Sequence, residues 1–153
     1  MMNVRIEKLE KNQTATAVQL FRLFQTDDGV ENPDEVSDNY LKNLLARTDF
    51  HVLAAFDGEN LIGGLTAYEL AKYKTEVREM FLYELVVDKN YRRKQAASRL
   101  IDFLKNICSE KEISEIFLLT ENSNFAARNL YLKTDGVPVE TVLFKYELSK
   151  EDE

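Results

Sequence analysis

Residues 81–104 read FLYELVVDKNYRRKQAASRLIDFL, and the fold turns on this stretch. It opens on an apolar run that ends in Val86 and Val87 and has a single acid, Glu84, set into it, the composition of a buried strand. Asp88, Lys89 and Asn90 supply turn chemistry. The consecutive cations Arg92, Arg93 and Lys94 come next. Apolar residues then recur at Ala97, Leu100, Ile101, Leu104, Ile107 and Cys108, the spacing of one helix face. Strand, short turn and helix start therefore follow one another, with cations at the junction. The unpaired N–H groups and partial positive charge of a helix start suit a phosphate, so this junction is an anion site in general form.

Working outward, Val4, Ile6 and their neighbours up to Leu9 alternate as a first strand, and Ala17, Val18, Leu20, Phe21 and Phe24 make a helical face over about 12–25. An acidic segment over 30–38 carries Glu31, Asp34, Glu35 and Asp38. It reads either as a solvated connection or as a lid that attracts a polycation. Ser37 has the chemistry of an N-cap for a second helix whose apolar face is Tyr40, Leu41, Leu44 and Leu45. Strands at 50–56 and 61–70 are joined by a hairpin loop at Asp57 to Asn60, and Gly63-Gly64 marks a bulge or a close backbone approach. A third strand over 79–87 completes an antiparallel meander. After the organising helix, a short strand over 116–120 is expected parallel to it, because a helix lies between the two. A helix over 124–133 stops at Thr134-Asp135-Gly136, with Gly136 the expected left-handed residue, and 137–148 is the final strand region. The class is α+β, a central mixed and mostly antiparallel sheet flanked by helices, in a single domain over 1–153.

Composition narrows the function classes. Apolar residues at 44% and charged residues at 31% are those of a soluble globular chain. No apolar run is long enough to span a membrane and the N-terminus lacks a signal-peptide block, so a cytoplasmic location is expected. A net charge of −7 disfavours nucleic acid and anionic membrane as partners and suits a cationic substrate, although solubility alone also explains it. The lone His51 has no Cys or His beside it, which argues against a zinc site, and no metal is expected. The single Cys108 falls on a helix face as a buried, inert thiol.

The order of elements resembles the GNAT superfamily of acetyl-coenzyme A-dependent N-acetyltransferases. Its pyrophosphate-loop pattern, Q/R-x-x-G-x-G/A, is matched by Arg92-Arg93-Lys94-Gln95-Ala96-Ala97, and a second mark by Asn124, Ala127, Leu130, Tyr131 and Lys133. Within the superfamily the chain looks most like aminoglycoside 3-N-acetyltransferases, through Asp38 to Leu45, Val52-Leu53-Ala54-Ala55-Phe56-Asp57, Ala67 to Tyr73, and Tyr83-Glu84-Leu85-Val86-Val87. Two departures stand out. Gln95 occupies the position of a family glycine, where a side chain crowds the phosphate or donates to it, and the chain is one residue longer at Asp135-Gly136.

The resemblance implies acetyl-CoA as co-substrate, its arm along Leu85, Val86 and Val87, with the N–H of Val86 or Val87 polarising the acetyl carbonyl. Its pyrophosphate would rest on N–H groups from Arg93, Lys94, Gln95, Ala96, Ala97 and Ser98, assisted by the side chains of Arg92 and Lys94, with Asn124 and Ala127 touching the arm. Asn124 is explained equally by helix capping. Glu84 is the expected general base or ammonium ligand, since a carboxylate in an apolar strand is costly unless it faces a polar cleft or a partner such as Arg78. Tyr131 is the expected proton donor to the leaving thiolate, or else a packed helix-face aromatic. Glu79, Glu84, Glu35 and Tyr40 are the expected substrate-side residues. The implied acceptor is an aminoglycoside acetylated at its 3-amine. The alternatives are a polyamine or protein amine, and a non-catalytic member weakened by Gln95. A homodimer is implied by analogy with the superfamily.

Overall fold

The computed structural model describes residues 3–92 and 95–149. Arg93 and Lys94, expected at the anion site, lie outside the described residues. The described strands are β1 (Val4–Lys8), β2 (Phe50–Asp57), β3 (Asn60–Ala71), β4 (Arg78–Val87) and β5 (Glu115–Phe117), in that spatial order in one sheet. The first three pairings are antiparallel and β4–β5 is parallel, as the intervening helix requires. The helices are α1 (Thr14–Asp27), α2 (Asp38–Leu45), α3 (Ala96–Glu110) and α4 (Phe125–Lys133).

The two faces of the sheet carry separate cores. On one, Leu20 and Phe24 of α1 and Leu45 of α2 pack on Phe50, Val52, Ala54 and Val86. On the other, Leu100, Ile101, Leu104 and Cys108 of α3 pack on Leu53, Leu65, Met80 and Leu82. The central strands are buried from both sides, so β2 reads as a nearly continuous apolar run with no alternation. Gly64 makes this packing possible: a Cβ there would come within 2.5 Å of the Leu53 carbonyl oxygen and 2.6 Å of the Leu20 side chain.

Ser37 caps α2 as expected, its side chain accepting from the Tyr40 N–H at 3.1 Å. Three expectations need correction. At the end of α4 the left-handed residue is Asp135 (φ 74°), and Gly136 has no positive φ. Gly136 instead donates its N–H to the Tyr131 carbonyl at 2.7 Å, and a Cβ on it would lie 2.8 Å from that oxygen. The strand expected over 116–120 forms a ladder only over Glu115–Phe117, because β5 parts from β4 after Phe117. Residues 137–148 join no strand of the sheet, despite their alternating sequence.

Candidate active site

The strand and helix starts that frame the site are held by local chemistry. β4 ends at Val87, and Asp88 caps a 3-10 turn, Lys89–Tyr91, by accepting from the Asn90 N–H at 2.9 Å. Gln95 then takes a left-handed conformation (φ 68°, ψ 7°) immediately before α3. That is the backbone which glycine adopts freely and other residues adopt at a cost. No side chain caps α3, and the first N–H to bond back within it is that of Arg99, to the Gln95 carbonyl. The N–H groups of Ala96, Ala97 and Ser98 thus open the helix without a partner among the described residues, a start suited to a phosphate. Arg92 does not extend freely into this space: its guanidinium donates to the Val87 carbonyl at 3.1 Å and to Asp27 at 2.7 Å.

β4 and β5 pair only from Glu79↔Glu115 to Phe81↔Phe117. From Leu82 onward, the edge of β4 facing β5 has no ladder partner among the described residues. Strand alternation fixes which N–H groups face that opening. The Asp88 N–H goes to Ile62 of β3 at 2.7 Å, and the Val86 carbonyl points at Gly63 of β3. Leu85 and Val87 therefore turn their N–H groups to the open side, where Arg92 already takes the Val87 carbonyl. Of Val86 and Val87, only Val87 turns its N–H to the open edge.

A bulge shapes the other wall. Ala67 pairs with Leu82 but Thr66 pairs with Glu84, so Tyr83 is an extra residue in β4. The Tyr83 ring sits edge-on to Tyr68 at 5.7 Å and to Phe81 at 5.6 Å. Glu84 is half-buried and has no hydrogen bond or ion pair among the described residues. Burial, and secondarily the charge of Asp28, raise its pKa above the ordinary carboxylate value. The Tyr68 phenol is also pushed up, first by burial and then by Tyr83, Tyr40 and Glu84. These residues and Asp28 form one acidic, aromatic surface at the C-terminal end of α1.

Tyr131, on α4, packs against the α3-side core, and burial raises its pKa. Its phenol is held protonated at neutral pH. The Asn124 side chain accepts from the Ala127 N–H at 3.1 Å, so both residues are engaged in starting α4.

The other expected acids are not gathered at Glu84. Glu79 is five positions away along β4, about 17 Å in an extended strand, with Lys72 at 4.0 Å. Glu35 pairs with Arg22 of α1, and Asp38 pairs with Lys42 at 2.9 Å. Gln25 donates to the Asp34 carbonyl at 3.1 Å, so the 31–38 loop is fastened to α1. Tyr40 is exposed (57%) and lies on the Glu84 side. Arg78, the expected structural partner of Glu84, instead bonds Glu69 at 2.9 Å.

That Glu69 belongs to a buried cluster at the far end of the sheet. His51 Nε2 approaches it at 2.5 Å, and Lys111 and Arg78 also bond it. Burial opposes its charge, but Lys111, His51 and Arg78 outweigh that and hold the carboxyl down at about 2. Burial lowers the pKa of His51, which is neutral and donates Nε2–H, while its buried Nδ1 has no partner among the described residues. Cys108 is buried, its thiol pushed up to about 11 by burial and then by the Glu69 charge.

Tyr83, Tyr68 and Asp28 were not legible as site residues. Alternation puts Tyr83 opposite Glu84, and only the bulge brings both to one side. A groove of about 720 Å³ runs between β1 and α3, lined by Arg5, Asp57, Arg99 and Asp102, and contains none of the expected site residues.

A family model described as "Acetyltransferase (GNAT) family" matches residues 17–136. No curated protein matches at a significant level. Among solved structures, an aminoglycoside acetyltransferase from an uncultured soil metagenomic sample, in complex with sisomicin, is 28% identical with a TM-score of 0.90, covering 96% of this chain and 97% of that one. A second aminoglycoside acetyltransferase from an uncultured soil metagenomic sample is 29% identical with a TM-score of 0.92, covering 97% and 100%. An aminoglycoside N-acetyltransferase in complex with CoA is 16% identical, covering 97% of each chain, with a TM-score of 0.81, a likeness of fold alone.

Proposed function

Because the chain belongs to the acetyltransferase (GNAT) family and is an acyltransferase, we propose that it moves the acetyl group of acetyl-CoA to an amine of a cationic small molecule, an aminoglycoside acetylated at its 3-amine. The observation that carries this reading is Glu84: a half-buried carboxylate of raised pKa, without a cation partner among the described residues, beside the unpaired edge of β4.

Acetyl-CoA, when bound, supplies a thioester whose carbonyl carbon accepts the amine. The residues supply the rest. The acidic surface of Glu84 and Asp28 draws an ammonium group toward the slot. Glu84 takes the amine's proton as the new C–N bond forms. The Val87 N–H donates to the carbonyl oxygen as it gains charge. As the C–S bond breaks, Tyr131 gives its proton to the sulfur. The N–H groups of Ala96, Ala97 and Ser98 hold the diphosphate, and Gln95 already has the backbone conformation that brings them into line. That conformation favours a working loop over a degenerate one. The aromatic rings of Tyr40, Tyr68 and Tyr83 suit the faces of sugar rings.

Thermal unfolding with acetyl-CoA at 100 times its Kd is expected to gain roughly 2.7 kcal/mol. Thiol release is then followed with a panel of aminoglycosides and polyamines, and the acetylated position is assigned by NMR. Turnover of polyamines alone would overturn the aminoglycoside reading. No thermal shift at millimolar acetyl-CoA would overturn the enzyme reading.

A further inference from the structure

α1 ends on two consecutive acids, Asp27 and Asp28, and has no basic residue in its last turn. The C-terminal end of a helix carries partial negative charge, so each carboxylate is repelled by the helix that bears it. Asp28 acts on Glu84. Asp27 has a different partner: its carboxylate accepts from the Arg92 guanidinium at 2.7 Å, joining positions 65 apart in the chain.

The same guanidinium donates through Nε to the Val87 carbonyl at 3.1 Å. That carbonyl belongs to the peptide between Val87 and Asp88. The N–H of this peptide points the other way, to the Ile62 carbonyl at 2.7 Å. One peptide plane is thus held from both sides, by β3 within the sheet and by Arg92 from outside it. It closes β4 at Val87, the residue whose own N–H faces the open edge. A guanidinium is a rigid planar fork, so seating one nitrogen on a carboxylate sets the direction of the others. The Arg92 side chain is 54% exposed, so without Asp27 it would have to give up rotamer freedom, against competing water, to keep the Val87 bond.

We propose that Asp27 is a positioning residue for acetyl transfer: acting through Arg92, it locks the Val87–Asp88 peptide and so holds the Val87 N–H toward the open edge of β4. The consequence for turnover rests on the acetyl-transfer reading, whereas the lock itself needs no ligand. The same bridge ties the end of α1, which carries Asp28, to the end of β4 beside the start of α3. The acceptor side and the cofactor side therefore share one strut.

The test is Asp27→Ala in the full chain. Exposed ion pairs add little to stability, and the substitution takes an acid off the negative end of α1 and puts a better helix former there. The unfolding midpoint is expected to hold or rise, while kcat with acetyl-CoA and an aminoglycoside falls about tenfold and the Kd for acetyl-CoA stays within about threefold. A merely structural role could not lower turnover while stability holds. Asp27→Glu, which keeps the carboxylate, is expected to restore most of the loss. Asp27→Ala with Arg92→Gln is expected to be no slower than Arg92→Gln alone, the mark of two residues acting as one. Without any ligand, the Asp88 amide is expected to exchange hydrogen about tenfold faster in Asp27→Ala, with the amides in the middle of β3 unchanged. Unaltered exchange at Asp88 would overturn the lock. Faster exchange with unaltered kcat, or losses that multiply in the double variant, would overturn the positioning role. Faster exchange in a chain that binds no acetyl-CoA would overturn the acetyl-transfer reading instead, with the peptide lock upheld.

Discussion

The carboxylate of Asp28, at the C-terminal end of α1, helps to hold the pKa of Glu84 up, as a second cause behind burial. A base must be deprotonated to act, so a raised pKa moves the acid limb of the kcat profile upward. Asp28→Asn removes the repelling charge and lowers the Glu84 pKa. The limb is expected to move to lower pH while the fold is unchanged, as read from kcat across the acid range. A limb that stays in place, or moves up, would separate Glu84 from the titration.

Glu84→Gln keeps the size of the side chain and removes its ability to take a proton. Turnover is expected to fall by about 10² to 10⁴, the usual worth of a general base. The Kd for acetyl-CoA is expected to stay within about threefold, since the site proposed for the cofactor lies on α3 and the β4 edge. Equal losses in both quantities would mark Glu84 as a structural residue.

Gln95→Gly is expected to stabilise the fold by about 1 kcal/mol, because Gln95 pays a left-handed penalty that glycine does not. Chemical denaturation measures it. Acetyl-CoA affinity should hold or improve. A large loss of affinity would show that the glutamine side chain is itself a ligand.

Tyr131→Phe removes one hydroxyl from a packed ring. If its proton goes to the thiolate, kcat falls by about 10² with stability nearly unchanged. Using a co-substrate with a better thiolate leaving group should restore much of that loss, an effect that a packing role would not produce.

Glu69 predicts the acid stability of the fold. Its native pKa of about 2 lies below its ordinary value of 4.5, so its contribution is complete above about pH 4.5 and is lost as pH falls toward 2. The difference corresponds to on the order of 3 kcal/mol. Glu69→Gln strips a buried charge from Arg78 and Lys111 and is expected to cost about 3 to 5 kcal/mol at pH 7. It should also flatten the loss of stability between pH 4.5 and 2, as seen in denaturant titrations at a series of pH values.

Much of this arrangement was legible in the sequence. The meander, the parallel β5, the cap at Ser37 and the turn at Asp88 follow from local rules that the structure obeys. Glu84 stood out because a carboxylate is expensive in an apolar strand. What sequence could not give was set by tertiary detail. The extra residue at Tyr83 breaks an alternation that otherwise looks regular. Glu35 and Asp38 read as part of either a solvated connection or an acidic lid, and what sequence could not show is that Arg22 and Lys42 neutralise them locally. The sheet partner of 137–148 is not decided by those residues alone, since a strand sequence states that pairing is needed and not with what.

Two ionisations sit on neighbouring strands of the sheet, Glu84 pairing with Thr66 three positions along β3 from Glu69, yet each has its own surroundings. Glu84 is the proposed base, without a cation partner among the described residues, whereas Glu69 anchors His51, Arg78 and Lys111. A protein engineer could therefore adjust the acidity at which the molecule works without altering the acidity at which it comes apart, and the reverse, because no carboxylate serves both tasks.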